Sequence, residues 1–489
     1  MNYFASIDQG TTSSRFIVFD ESGDVVAQHQ QELTQYFPNN VSVEHNPEEI
    51  WNSVENCIKE VLKKVDKNDI QSVGITNQRE TTIAWSKSSG KSLYNAIVWQ
   101  DTRTQEICDE LVNNNQLNDA FKSTGLPVST YFSLSKIIWM IRNVKEVKDA
   151  MEKEDVCFGT VDSWLIYKLT NQFLTDVSNA SRTLIFDIHK MDWNETILNT
   201  LNIPKSCLPE VRPSLSVFGE CSGELENIPI AAVLGDQQAS LFGQNCKEKG
   251  DVKNTYGTGC FALINTGNKV IASDNGLLST VAYQYGEREP VYALEGSVAI
   301  AGAAVQWLRD NLNIISSSEE VESLALNVED NGDVYFVPAF SGLFSPHWDS
   351  SARGVLVGLS RFSDKNHIAR AVLESVAYQS YELLESMESD LGIKLTEIKV
   401  DGGMVTNNLL MQFQADILDK VVTAQPIAEI TAFGSAVASY ICINNYELHE
   451  MDKFFKTNKS WTPNMSKEVR EGYLSKWNIA IEKAKNWLE

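Results

Sequence analysis

Apolar positions along the chain fall into two kinds of run. Short stretches of strand length, Phe4–Asp8, Phe16–Phe19, Ser72–Ile75, Ile228–Asp236, Asn254–Gly257 and Ile398–Gly403, stop at turns rich in glycine and hydroxyls. Longer three-and-four-residue patterns lie between them. "HNPEEIW" opens one predicted helix, with Asn46 as its cap, Pro47 in the first turn, and Glu48 and Glu49 at the positive helix end. Val469, Tyr473, Trp477, Ile481 and Ala484 predict one apolar face on a closing helix. Strands alternating with helices predict an α/β class.

The opening stretch "YFASIDQGTTSSRFIVFDESGDVV" has an echo in "NTYGTGCFALINTGNKVI", Asn254–Ile271. Each is a strand, a Gly/Thr turn, a second strand and a polar turn. The pair suggests a duplicated domain; two unrelated hairpins are the alternative.

Such turns suit phosphate. Glycine lets the backbone approach a ligand, successive N–H groups form an anion nest, and Thr11, Thr12, Ser13 and Ser14 add neutral donors. An acid beside phosphates repels them unless a cation intervenes. Asp8 therefore reads as a ligand, direct or through water, for Mg²⁺ on a nucleotide, with Arg15 as a fixed positive charge. An ordinary hairpin with a polar turn explains the same residues. Gly257–Ala262 matches a loose dinucleotide fingerprint, but a β-type run follows it where that fingerprint needs a helix. No Walker-type sequence occurs.

Further along, "IKVDGGMVTNNLLMQFQADIL" reads as a strand, the pair Gly402-Gly403, and a helix capped near Asn407, an arrangement open to a nucleotide. Gly302 and Gln306 lie four apart on one predicted helix face, for an adenine or ribose or for simple helix packing. Asp236 follows a buried strand and precedes a helical run, as a general base or as a cap. Arg79 and Glu80 are adjacent just past a strand; to reach one ligand they need irregular backbone, and otherwise they form a surface ion pair. With Trp99, Tyr131 and Phe261 they suit a small polyhydroxy substrate with apolar CH edges.

Composition narrows the partners. The chain has 489 residues and a net charge of −24, which argues against nucleic acid or an anionic membrane as partner. A bound nucleotide remains compatible, since one pocket can oppose the global field. The eight cysteines are scattered, against disulfides and zinc, and no secretory signal or membrane-length apolar run is visible; a reducing cytoplasm fits.

Together "DQGTTSSR", "GITNQRETT", "NAIVWQDTRT", "YFSLSKIIWM", "FGTVDSWLIYKLT", "NASRTLIFDIH", "GDQQASLFGQ", "KNTYGTGCF", "ALEGSVAIAGAAVQWLRD" and "VDGGMVTNN" resemble the glycerol kinases of the FGGY carbohydrate kinase family, from Ala5 to beyond Trp477. The resemblance implies two RNase H-like domains of the actin, hexokinase and Hsp70 type around a central cleft, residues 1–245 with the glycerol site and residues 246–489 with the adenosine site. It implies phosphorylation of glycerol by ATP to sn-glycerol 3-phosphate, in glycerol catabolism. Asp8 matches the Mg²⁺ position, and Thr11, Thr12, Ser13 and Arg15 line the nucleotide. Thr258 matches the other phosphate contact; Gly302, Gln306, Gly403 and Asn407 match the nucleoside surround. Arg79, Glu80, Trp99, Tyr131, Asp236, Gln237 and Phe261 match the glycerol pocket, with Asp236 as the base. The resemblance also implies a homodimer or homotetramer. A kinase for another polyol or sugar of the same superfamily is the alternative, and a nucleotide-gated binding protein on the same fold needs no base at Asp236.

Three departures stand out. "GLFSPHW" places Phe344, Ser345 and His347 where relatives commonly read Gly-Leu-Gly-Ala-Pro-Tyr-Trp, which leaves the packing of that loop open. "NVSVEHNP" lacks a Gly-Trp pair before its Glu-His. Between Val217 and Ile230 the chain is short and has neither the Gly/Lys/Arg loop of relatives inhibited by fructose 1,6-bisphosphate nor the histidine that others have phosphorylated there.

Overall fold

The computed structural model of the protein describes residues 2–455 and 459–488. Two sheets dominate. The first contains β1 (Tyr3–Gln9), β2 (Ser13–Phe19), β3 (Val25–Glu32), β4 (Ile70–Asn77), β5 (Gly219–Glu220) and β6 (Pro229–Gly235), in the order β5-β6-β4-β1-β2-β3. The second contains β7 (Val252–Tyr256), β8 (Cys260–Gly267), β9 (Leu278–Tyr283), β10 (Val291–Val298), β11 (Glu397–Asp401), β12 (Val421–Ala424) and β13 (Lys459–Trp461), in the order β9-β10-β8-β7-β11-β12-β13.

The two sheets repeat one pairing scheme. In the first, β1 is antiparallel to β2 and β2 to β3, while β1, β4 and β6 run parallel. In the second, β7 is antiparallel to β8 and β8 to β10, while β7, β11 and β12 run parallel. The shared topology supports the duplication read from the two hairpins. The parallel strands need covered faces and so are buried almost throughout: β4 has one exposed position, Gln71.

Helices supply that cover. Asn46 caps α1 (Pro47–Leu62), accepting from the N–H groups of Glu48 and Glu49. After β6 comes α2 (Asp236–Gly243), after β10 come α3 (Gly302–Asp310) and α4 (Lys365–Leu391), after β11 comes α5 (Asn408–Leu418) and after β12 comes α6 (Ile430–Ile443). α6 crosses back onto the first sheet, where Ser435 Oγ lies 2.6 Å from Ser6 Oγ and Ser439 Oγ 3.0 Å from Ser72 Oγ. It also crosses α2 at two glycines: a Cβ on Gly434 would lie 1.9 Å from the Ala239 carbonyl oxygen, and one on Gly243 2.4 Å from that of Ile430. Only bare backbone fits there.

α7 (Lys467–Ala484) buries Trp477, Ala480, Ile481 and Ala484, and Trp477 stacks on Tyr378 at 4.9 Å. Its predicted face starts one turn too early, since Val469 is 51% exposed; the helix touches the core only from Tyr473 onward. The predicted strand Ile228–Asp236 ends at Gly235, and Asp236 opens α2. In the unusual loop, His347 Nε2 lies 2.9 Å from Glu382, Ser345 donates to the Asn275 carbonyl at 3.1 Å, and Phe344 packs on Trp348, so its side chains are partnered. All eight cysteines are unpaired. Among the described residues no helix is long and apolar enough to cross a membrane.

Candidate active site

Parallel strands of one sheet end on the same edge, and an α/β sheet binds its ligands outside the carboxyl ends of its strands. Asp8 pairs with Thr76 near the ends of β1 and β4, and Gly235 pairs with Asn77 at the ends of β4 and β6. The pairing register therefore brings Asp8, the segment after Asn77 and Asp236 to one edge, although 228 positions separate the two acids (236 less 8).

At the first turn the Gly10 N–H donates to the Ser13 carbonyl at 2.9 Å. Ser13 is buried, Thr11 half-buried and Thr12 exposed. Asp8 sits across the hairpin from Arg15, whose Nη1 is 3.7 Å from the Asp8 carboxylate and also pairs with Glu429. Burial pushes the Asp8 pKa up to about 7; Arg15 opposes this, and the carboxylates of Glu429 and Asp236 add to it. Asp8 and Glu429 thus share one guanidinium, the Asp236 carboxylate adds to the negative field, and a further cation suits the place. Among the described residues no cluster of three or more His, Cys, Asp or Glu side chains could hold a metal. A divalent ion at Asp8 would take its other ligands from phosphate oxygens and water, as Mg²⁺ commonly does.

The second turn is tied to α3. The Ala301 and Ala303 N–H groups donate to the Thr258 carbonyl at 2.9 and 3.0 Å, and the Gly302 N–H to the Gly257 carbonyl at 3.0 Å. A Cβ on Gly302 would lie 2.7 Å from that Gly257 oxygen, so close packing is one reason for this glycine. The Thr258 side chain is exposed, as is Gln306 one turn along α3. Gly402, at φ +97°, backs onto Tyr256 just before the second turn, while the space around Gly403 is open. Asn407 Oδ1 accepts from the Leu410 N–H at 2.8 Å and caps α5 as predicted. Gly302, Thr258, Gly402 and Gly403 thus form one cluster against the ends of β7 and β11.

On the other side of the cleft, residues 78–81 after β4 are irregular, as simultaneous use of Arg79 and Glu80 requires. Both side chains are buried, so a surface ion pair is excluded. Arg79 Nη1 and Nη2 donate to Glu295 at 2.5 and 3.1 Å; Arg182 donates to Glu80 and to Glu295, each at 2.9 Å. Burial alone would raise the Glu295 pKa, but Arg182 and Arg79 hold it at about 2. Glu295 lies on β10, so this network joins the second sheet to the first. Arg79 Nε lies 3.1 Å from Asp236 Oδ1, yet is not aligned to donate and is left without a hydrogen bond.

Asp236 is not the cap of α2: that position is Gly235, and among the described residues Asp236 accepts only from the next N–H, of Gln237, at 2.7 Å. Burial raises its pKa, Arg79 opposes, and Glu80 adds to the rise. Gln237 accepts from Lys253 through Oε1. Trp99 and Tyr131 meet edge to face at 5.7 Å, and Trp99 Nε1 donates to Thr11 Oγ1 at 2.9 Å, which links the aromatic wall to the first turn. Phe261 stands opposite Thr255 and Ser297 on β8. The buried Lys136 ammonium donates to the carbonyls of Thr130, Tyr131 and Phe132 and so fixes the loop that presents Tyr131.

Arg182, Glu295, Lys253, Lys136 and Glu429 were not singled out from the sequence. The signal available for two of them, Glu295 and Lys136, is a lone charge inside an apolar stretch, as in "ALEGSVAI" and "SLSKIIW". Asn179-Ala-Ser has the form of a glycosylation sequon, but Asn179 is buried, its amide donating to Asp176 at 2.8 Å.

Residues 3–243 match the model for the N-terminal domain of the FGGY family of carbohydrate kinases, and residues 252–441 match its C-terminal domain. The glycerol kinases of Brucella anthropi and Chloroflexus aggregans are each 50% identical to the chain, over 100% of it and 99% of the relative. The crystal structure of Plasmodium falciparum glycerol kinase with ADP superposes at a TM-score of 0.93, with 38% identity over 99% of this chain and 98% of that one.

Proposed function

Since the chain belongs to the FGGY family of carbohydrate kinases, we propose that glycerol and ATP meet in the cleft between its two sheets, with Asp236 as the general base. The chain phosphorylates glycerol with ATP, the activity carried by relatives of half-identical sequence along its whole length. The finer assignments are our own reading of the site. The observation that carries them is the arrival of Asp8, Arg79, Glu80 and Asp236 at one sheet edge, pinned by Glu295 to the sheet whose turns present Thr258 and Gly403.

Glycerol lies against Trp99, Tyr131 and Phe261 by its CH edges, with its hydroxyls on Arg79, Glu80, Asp236 and Gln237. The first turn, through Thr11, Thr12, Ser13 and Arg15, and the second, through Thr258, hold the phosphates. Gly302, Gln306, Gly403 and Asn407 surround the nucleoside. Asp8 would hold Mg²⁺, which supplies charge neutralisation on the phosphate oxygens.

A terminal glycerol hydroxyl attacks the γ-phosphorus. Its oxygen forms the new P–O bond as the bond to the β-phosphate oxygen breaks, ADP leaves, and the hydroxyl proton passes to Asp236. Burial gives Asp236 basicity above that of a surface carboxylate, while Arg79 favours its ionised form. Positioning and charge stabilisation carry the rest of the rate. Closure of the halves, residues 1–245 and 246–489, would exclude water as a competing acceptor. The product is sn-glycerol 3-phosphate, and the reading extends to a cytoplasmic homodimer or homotetramer.

A substrate panel of glycerol, dihydroxyacetone, erythritol and xylulose, read as ADP release, tests the reading. Glycerol is expected to lead the larger polyols in kcat/KM by about tenfold or more, the scale at which a closed pocket sorts size. Equal or better turnover of erythritol or xylulose overturns it.

A further inference from the structure

Lys253 is a fully buried cation on β7, in the half of the chain opposite the candidate base. Its ammonium donates to Gln237 Oε1, to Thr255 Oγ1 at 2.9 Å and to the Phe261 carbonyl at 3.2 Å. An ammonium has three N–H donors and no acceptor, so these partners use it completely. Burial lowers its pKa, and the carboxylates of Asp401, Glu295 and Asp236 oppose that fall. An isolated buried amine is costly, and here all three contacts are made to residues that line or adjoin the cleft.

The contact has a directional consequence for Gln237. An amide can turn either its oxygen or its nitrogen to a ligand. Lys253 can only donate, so it takes the oxygen. The Gln237 nitrogen is left, half-buried at the start of α2, with no acceptor among the described residues. The same ammonium holds the backbone of Phe261, so the amide and the aromatic wall share one anchor.

We propose that Lys253 is a positioning residue: it locks the Gln237 amide with its nitrogen facing the cleft, so that this corner of the site offers the polyol a donor and selects for an accepting hydroxyl. The proposal rests on the reading that glycerol occupies the cleft.

Lys253→Met keeps the buried stem and removes the anchor. The glycerol KM is expected to rise at least about tenfold, with kcat changed by less than about threefold and ADP affinity by calorimetry unchanged. Lys253→Arg, which still donates, should recover part of the loss. Because Lys253 acts through Gln237, the double variant with Gln237→Ala should be no worse than the poorer single variant; additive losses overturn the proposal. If Lys253→Met fails to bind ADP and so has not folded, Gln237→Glu decides instead. It keeps the partner of Lys253 but has no N–H, and a wild-type glycerol KM in that variant overturns the proposal. Failure of the functional reading looks different: the unmodified protein would then bind ADP without consuming glycerol.

Discussion

Replacing Asp236 by Asn keeps its size and removes its basicity. The loss of a general base costs about 10²–10⁴ in rate, so turnover at saturating substrates should fall by that much, with ATP affinity little changed. Turnover within about threefold of wild type would remove Asp236 from this role. Asp8 has a different signature, because it sits among carboxylates and would act through a cation. Asp8→Ala should abolish the dependence of ADP affinity on Mg²⁺ while glycerol still binds by calorimetry. An unchanged Mg²⁺ titration would separate Asp8 from the metal. Both residues were legible in the chain because an acid at a strand end is a local pattern. Arg182 and Glu295 were not, because their importance lies in pairing across 113 residues, and no local spacing encodes that.

At the scale of an element, the stretch from Val217 to Ile230 carries an expectation about regulation. It forms β5, pairs Gly219 with Ile230 and Glu220 with Pro229, and then makes a single short turn of helix at Gly223–Leu225. Between Val217 and Ile230 it carries no Lys, Arg or His, so nothing in it can neutralise a bisphosphate. Millimolar fructose 1,6-bisphosphate is expected to leave the rate unchanged. A fall of roughly tenfold, the size of an ordinary allosteric coupling, would show a site elsewhere. Hairpins and caps were readable in advance, since Asn46 and Asn407 act within their own turns. The crossing of α2 and α6 was not. Gly243 and Gly434 look like ordinary helix glycines until the two backbones are seen to touch.

Across the whole molecule the buried charges make stability depend on pH. Asp162 is fully buried, accepts from Thr160 and from Thr175, and has its pKa raised to about 7 by burial and then by Asp176. Its ordinary value is 3.8, so the folded state binds a proton between about pH 4 and 7 that the unfolded state has lost. The linkage slope is then negative, and this group's contribution falls as pH rises through that window. Asp162→Asn removes the penalty, so its denaturation midpoint, relative to wild type, should be more favourable at pH 8 than at pH 5. An offset equal at both values would mean that Asp162 is ionised throughout. The sequence by itself determined the α/β class, the paired hairpins, the turns with their acids and glycines, and the strongly acidic net charge. Each follows from residues a few positions apart, within reach of one another in almost any fold. Only the tertiary structure decided that Arg79 and Glu80 are buried, that Asp236 is not a cap, that Lys253 faces Gln237 and that Glu295 ties the two sheets together. Those facts depend on strand order and on which charges lose their water together, which are set when the sheets close on each other.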